Sequence, residues 1–67
     1  MMIPVNSSSI REVGYVGYHL FVRFHTSDAI YAHYGVPYSV FLELMQAASI
    51  GSSIGAYYNT HIRGKYH

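Results

Sequence analysis

The sequence predicts an α+β fold: a three-stranded antiparallel β-meander followed by one amphipathic helix and a short second helix. Three observations point there. Residues 10–36 hold segments of period-two alternation separated by glycine-containing and polar turns, the pattern of short paired strands. Gly35 and Pro37 then interrupt the extended pattern, since glycine permits a bend and proline cannot donate to a ladder but suits a helix start. From Tyr38 onward apolar residues recur at three- and four-residue spacing, the mark of a helix with one buried face.

In chain order, the first nine residues are read as irregular, because Asn6-Ser7-Ser8-Ser9 offers side-chain oxygens that bond to nearby backbone and start a turn. A first strand covers residues 10–16, and Gly17-Tyr18 is the hairpin turn after it. The second strand, residues 19–25, is the clearest. Leu20, Val22 and Phe24 fall on one face, and Phe21, Arg23 and His25 on the other. Thr26-Ser27-Asp28 turns the chain into a third strand over residues 29–36. There Tyr31 and His33 lie on one side, with Ile30, Ala32 and Tyr34 opposite. Both sides are apolar or aromatic, so alternation leaves open which one faces the core.

The helix of residues 38–50 presents Val40, Phe41, Leu44, Met45, Ala47 and Ala48 as one stripe to cover the sheet. Ser39, Glu43 and Gln46 face water. Gly51 is expected as its C-cap, and Ser52-Ser53 as the cap of a shorter helix running through Ala56 to about residue 62. The whole is one domain over residues 1–67: an irregular segment 1–9, a meander 10–36, a helical part 37–62 and a tail 63–67.

Composition bounds the function. A chain of 67 residues buries only about 60% of its unfolded surface, so its core is marginal and some further staple is expected. With no cysteine there is neither a disulfide nor a thiolate zinc site, which leaves self-association or a bound ligand, and suits a reducing, cytoplasmic setting. Charged residues make up 10% of the chain against roughly 25% in ordinary domains, and 51% of it is hydrophobic. A homo-oligomer follows, with Phe21, Ile30, Ala32 and Tyr34 as its interface. A net charge of +1 excludes the broad basic footprint of a duplex-DNA binder. No apolar run spans a bilayer and the N-terminus lacks the regions of a signal peptide, so no membrane partner is expected.

An ordered set of short pieces resembles a known family. The pieces are Val5-Asn6-Ser7-Ser8 with Ile10, Val13-Gly14-Tyr15, Leu20-Phe21-Val22-Arg23-Phe24, Tyr31 with Val36-Pro37, Val40-Phe41 and Leu44-Met45-Gln46-Ala47. After them come Ser53-Ile54-Gly55-Ala56-Tyr57-Tyr58-Asn59 and Ile62-Arg63-Gly64-Lys65-Tyr66. Together they are similar to the KTSC domain, named for its place at the C-terminus of some lysyl-tRNA synthetases. The resemblance covers nearly the whole chain. It implies a small free-standing protein of bacterial or phage type, and RNA binding through the synthetase connection. Two positions depart from the family pattern. His33 in Tyr31-Ala32-His33 stands where the family motif has a second tyrosine, and about four residues between Ala47 and Ser53, close to one helical turn, look inserted.

Catalysis is not expected. Glu12, Asp28 and Glu43 are the only carboxylates, placed on a strand, a turn and a helix, and no serine sits in a Gly-x-Ser-x-Gly elbow. A metal site is not expected either. His19, His25 and His33 could sit on neighbouring strands, but no spacing matches a metal motif and strand histidines are ordinarily polar surface positions. No cofactor is implied.

Nucleotide or RNA binding is the sharpest reading. Tyr57-Tyr58-Asn59 followed by His61, Arg63 and Lys65 sets stacking rings, an amide able to read a base edge and phosphate-binding cations close together in sequence. Tyr31 and His33 join them, so the expected ligand residues are Tyr31, His33, Tyr58, Asn59, His61, Arg63 and Lys65. The bland alternative is ordinary too, since a tyrosine half in the core with its hydroxyl tied to backbone is common, and it is the favoured reading for Tyr15 and Tyr57. The function expected is therefore a non-catalytic binding module for RNA or a small phosphate-bearing nucleotide, acting as a homo-oligomer. The alternatives are a protein that sequesters a nucleotide and a purely structural or regulatory self-assembling protein.

Overall fold

The computed structural model describes residues 2–49 and 54–66. It has an antiparallel sheet of four strands in the order β1-β2-β3-β4, with β1 at Met2–Pro4, β2 at Ile10–Val16, β3 at His19–Phe24 and β4 at Ile30–His33. Two helices follow, α1 at Tyr38–Ser49 and α2 at Ile54–His61. The α+β class with its meander and two helices is as the sequence indicates, but the sheet has one strand more than expected. That strand is β1, inside the segment read as irregular. It pairs with β2 through Met2↔Gly14, Ile3↔Val13 and Pro4↔Glu12. Three residues are too short to display alternation, and a proline is tolerated there because β1 is an edge strand.

Each connection has a local cause. The two-residue turn Gly17-Tyr18 joins Val16 to its partner His19, and Gly17 has φ +61° while among the described residues no residue other than glycine has positive φ. A positive φ at the first central position only is the type II′ pattern, whose twist matches that of the strands. Ser7 Oγ accepts from the N–H groups of Ser9 and Ile10, both at 3.2 Å, which closes the polar loop before β2. A bulge between Ile10 and Glu12 keeps Ile10 and Val13 on the same face.

β4 is shorter than the sequence suggests. After His33 the chain leaves the sheet through Gly35, at φ +73°, and the Val36 N–H bonds instead to the Tyr18 carbonyl at 2.9 Å. Val36 is nonetheless fully buried, beneath α1. The Pro37 carbonyl accepts the first helical bonds, from Val40 N–H at 3.0 Å and Phe41 N–H at 3.3 Å, so the proline stands at the helix start as its missing N–H requires. The caps expected at Gly51, Ser52 and Ser53 lie outside the described residues.

Both helices cover one face of the sheet. Ile10, Val13, Leu20 and Val22 from the strands meet Val36, Leu44, Ile54, Tyr58 and Ile62, and Val40, Phe41 and Met45 pack against this core as the α1 stripe requires. In α2 the buried positions Ile54, Tyr58 and, one residue past its end, Ile62 recur every four residues. Strand register settles the question that alternation leaves open. Leu20 pairs with His33 and Val22 with Tyr31, so Tyr31 and His33 belong to the helix-covered face. Phe21 pairs with Ala32 and Arg23 with Ile30, which puts these on the opposite, uncovered face. Among the described residues no helix is long and apolar enough to cross a membrane.

Candidate functional site

At one end of the helix-covered face, between β3, β4 and the end of α2, lies a cleft of about 290 Å³ lined by Phe24, Tyr31, Tyr58 and Arg63. Phe24 is the last residue of β3, past the point where the helices fill the face, so its ring is only partly covered. Its edge-to-face contacts reach Tyr31, with ring centroids 5.6 Å apart, and Tyr58 at 5.4 Å. Tyr31 is about half exposed, at 48%. The three rings thus form an aromatic wall that is anchored in the core at Tyr58 and open to solvent at Tyr31.

Tyr58 is held from behind. Its hydroxyl lies 2.7 Å from His33 Nε2, and His33 Nδ1 lies 3.0 Å from the Tyr66 carbonyl. A carbonyl only accepts, so Nδ1 carries the proton. In the neutral ring Nε2 is then the acceptor and the Tyr58 hydroxyl the donor. The chain of carbonyl, imidazole and phenol fixes the Tyr58 ring against the cleft. Burial raises the Tyr58 phenol above its ordinary value, an effect lowered by the Arg63 cation and raised again by Tyr31.

Arg63 reaches the cleft because the end of α2 closes on itself. The N–H groups of Ile62 and Arg63 both bond to the Tyr58 carbonyl, at 3.0 and 2.9 Å, and Gly64, at φ +79°, reverses the chain so that Lys65 and Tyr66 return to the Ile62 carbonyl. The positive φ is why glycine is needed there. The same turn delivers the Tyr66 carbonyl to His33. The three carboxylates lie elsewhere: Glu12 with Arg23 at 2.9 Å, Asp28 with Arg11 at 3.9 Å, and Glu43 accepting from the Tyr57 hydroxyl at 2.8 Å. Among the described residues Arg63 has no acidic partner, and the field in the cleft is that of a cation.

Of the residues expected to bind a ligand, Tyr31, Tyr58 and Arg63 come together in the cleft. His33 lies behind it, 8% exposed with both ring nitrogens bonded within the fold, so the base contact expected of it becomes support for Tyr58. Asn59, His61 and Lys65 are exposed and are not among the described lining residues. His61 instead meets the Tyr57 ring at a tilt of 36°, centroids 4.4 Å apart, an i, i+4 pair on α2. Phe24, which sequence reasoning placed on one face with Leu20 and Val22 without a binding role, is the lining residue it missed. The available signal was its place near the end of the alternating segment, next to the polar turn Thr26-Ser27-Asp28. Tyr15 sits against the core, with its ring stacked on Phe41 at 4.8 Å and its hydroxyl donated to the Val36 carbonyl at 2.6 Å.

His19 meets the Tyr34 ring edge-on at 4.8 Å, His25 bonds the Ser7 carbonyl at 2.9 Å, and among the described residues no group of three metal-ligating side chains comes together.

The residues expected at an oligomer interface share the uncovered face of the sheet. Ile30 and Tyr34 are exposed, at 46% and 55%, and Phe21 and Ala32 are partly so. The cross-strand pair Glu12–Arg23 lies among them, with side chains 20% and 28% exposed.

Comparison with known proteins agrees with this fold. The family model described as KTSC domain matches residues 6–66. The crystal structure of a KTSC domain protein from Yersinia pestis superposes with a TM-score of 0.87 at 29% identity, covering 100% of this chain and 90% of that one. Among curated proteins none matches.

Proposed function

The chain belongs to the KTSC domain family, and from that premise we propose that it is a non-catalytic binding module for RNA or a small phosphate-bearing nucleotide, acting in the cytoplasm as a homo-oligomer. The observation that carries the reading is the cleft, where Phe24, Tyr31 and Tyr58 offer ring faces and edges beside the guanidinium of Arg63. Stacking on an aromatic ring contributes about 1–3 kcal/mol per base, and an Arg–phosphate contact adds a charge-assisted bond. Three rings and one cation therefore suit a ligand with one flat, apolar part and one anionic part. His33 serves by holding Tyr58 rather than by touching the ligand.

The oligomer is supported by the uncovered sheet face. Phe21, Ile30, Ala32 and Tyr34 make an apolar surface of a kind that soluble monomers seldom leave open. A two-fold pairing of that face on itself suits a patch with both a cation and an anion, Arg23 and Glu12, near its middle.

Titration of the full chain with short RNA and with mono-, di- and cyclic nucleotides, at low and moderate salt, tests the reading. Saturable binding that weakens on Arg63→Gln is the expected result. Failure of every one of these ligands to bind removes it.

A further inference from the structure

Resting on the nucleotide-binding reading, we infer that the cleft is a one-nucleotide site, taking a single base against its aromatic wall and a single phosphate on Arg63, rather than one station along an RNA track. The observations concern size, charge and direction.

The cleft, about 290 Å³, lies at the bottom of the range for small-ligand pockets, roughly 300–1,000 Å³. It has room for one base and its phosphate. A strand-binding groove needs cations spaced along a path, and this chain has four in all. Arg23 is held by Glu12 on the opposite face of the sheet, and Arg11 lies 3.9 Å from the exposed carboxylate of Asp28. Arg63 and Lys65 are left, two residues apart at one turn, and only Arg63 is among the described residues that line the cleft. A backbone continuing past the cleft finds no further cation among the described residues that line it.

Self-association does not supply one. The proposed interface is the uncovered face carrying Ile30 and Ala32, whereas the cleft belongs to the face carrying Tyr31. Two copies paired through the former direct their clefts away from each other, and the sites stay separate.

The experiment compares the affinity of the full chain for nucleoside 5′-monophosphates, the matching nucleosides, and 5′-phosphorylated oligoribonucleotides of two, four and eight units at two salt concentrations. The expected result is binding of the monophosphate with one ligand per chain. The nucleoside should bind at least tenfold more weakly. The phosphorylated eight-mer should bind within about threefold of the monophosphate, and its salt slope should stay near one phosphate contact, about −0.7 on the log–log plot. Arg63→Gln should cost tenfold or more, Arg63→Lys less, and Lys65→Gln under threefold. Affinity that climbs tenfold or more from two units to eight, with a steepening salt slope, overturns the one-nucleotide inference but leaves the nucleic-acid reading standing. Absence of binding by all of these ligands overturns both.

Discussion

The Tyr58 hydroxyl donates to His33 Nε2 at 2.7 Å in the buried space between β4 and α2, and His33 in turn donates from Nδ1 to the Tyr66 carbonyl. A side chain on the sheet thus ties the second helix and the C-terminal turn together. Removing the phenolic oxygen leaves Nε2 buried with no donor, a loss of roughly 1–3 kcal/mol. Tyr58→Phe is therefore expected to lower Tm, by about 4–8 °C for each kcal/mol in a domain of this size. Tyr31→Phe, at an exposed position, is expected to melt with the parent. A Tyr58→Phe protein melting within a degree or two of the parent would mean that the bond contributes no net stability.

That pairing also marks where sequence reasoning stops. The turn at Gly17-Tyr18, the proline-started α1 and its buried stripe were all legible, because each is fixed by neighbours within one or two turns of chain. The face to which His33 belongs was not. Ile30, Ala32 and Tyr34 are as apolar as Tyr31 and His33, and only pairing with Leu20 and Val22 decides between them. Nor could adjacency in sequence stand for adjacency in space on α2. A helix turns about 100° per residue, so Asn59 and His61 leave the side on which Tyr58 meets the sheet. β1 was missed because three residues give no period to count.

Tyrosine burial makes an alkaline limit. Burial first, and then the hydrogen bond to Glu43, push the Tyr57 phenol up to about 12 from 10.0, and burial raises Tyr58 in the same direction. A raised folded value means that the folded state keeps protons the unfolded chain has released. The stability that these phenols contribute is complete below pH 10 and is lost as pH climbs through about 12. Melting followed by circular dichroism from pH 8 to 12 should show Tm flat at first and then falling steeply above 10. Tyr57→Phe should make the fall shallower. An unchanged profile in that variant would show that Tyr57 is not among the groups responsible.

The uncovered face gives a prediction about assembly. Ile30 and Tyr34 are exposed at the β4 edge, so replacing them removes little packing within one chain. Ile30→Lys together with Tyr34→Ser is expected to shift the mass measured by light scattering from an oligomer to a monomer, with far-ultraviolet circular dichroism preserved. If the parent chain itself is monomeric across the micromolar range, the interface assignment fails. If the parent is an oligomer and the double variant assembles normally, another surface is responsible.

Tyr31 and Phe24 separate binding from stability within the cleft. The Tyr31 ring is half exposed and meets Phe24 edge-on, a contact of about 0.5–1.5 kcal/mol, whereas Phe24 also touches Tyr58 and packs against the core. Tyr31→Ala should therefore lower Tm by a few degrees while removing one stacking surface, worth about 1–3 kcal/mol or five- to 150-fold in affinity for a nucleoside monophosphate. Phe24→Ala should lose both stability and binding, since truncating a large core-packed ring costs about 3–5 kcal/mol when fully buried, and somewhat less at this rim. Calorimetric titration beside thermal melting reads the two effects separately. A Tyr31→Ala chain that keeps full affinity would place the base elsewhere on the aromatic wall, and a Phe24→Ala chain that keeps its Tm would show that the rim ring carries little of the fold.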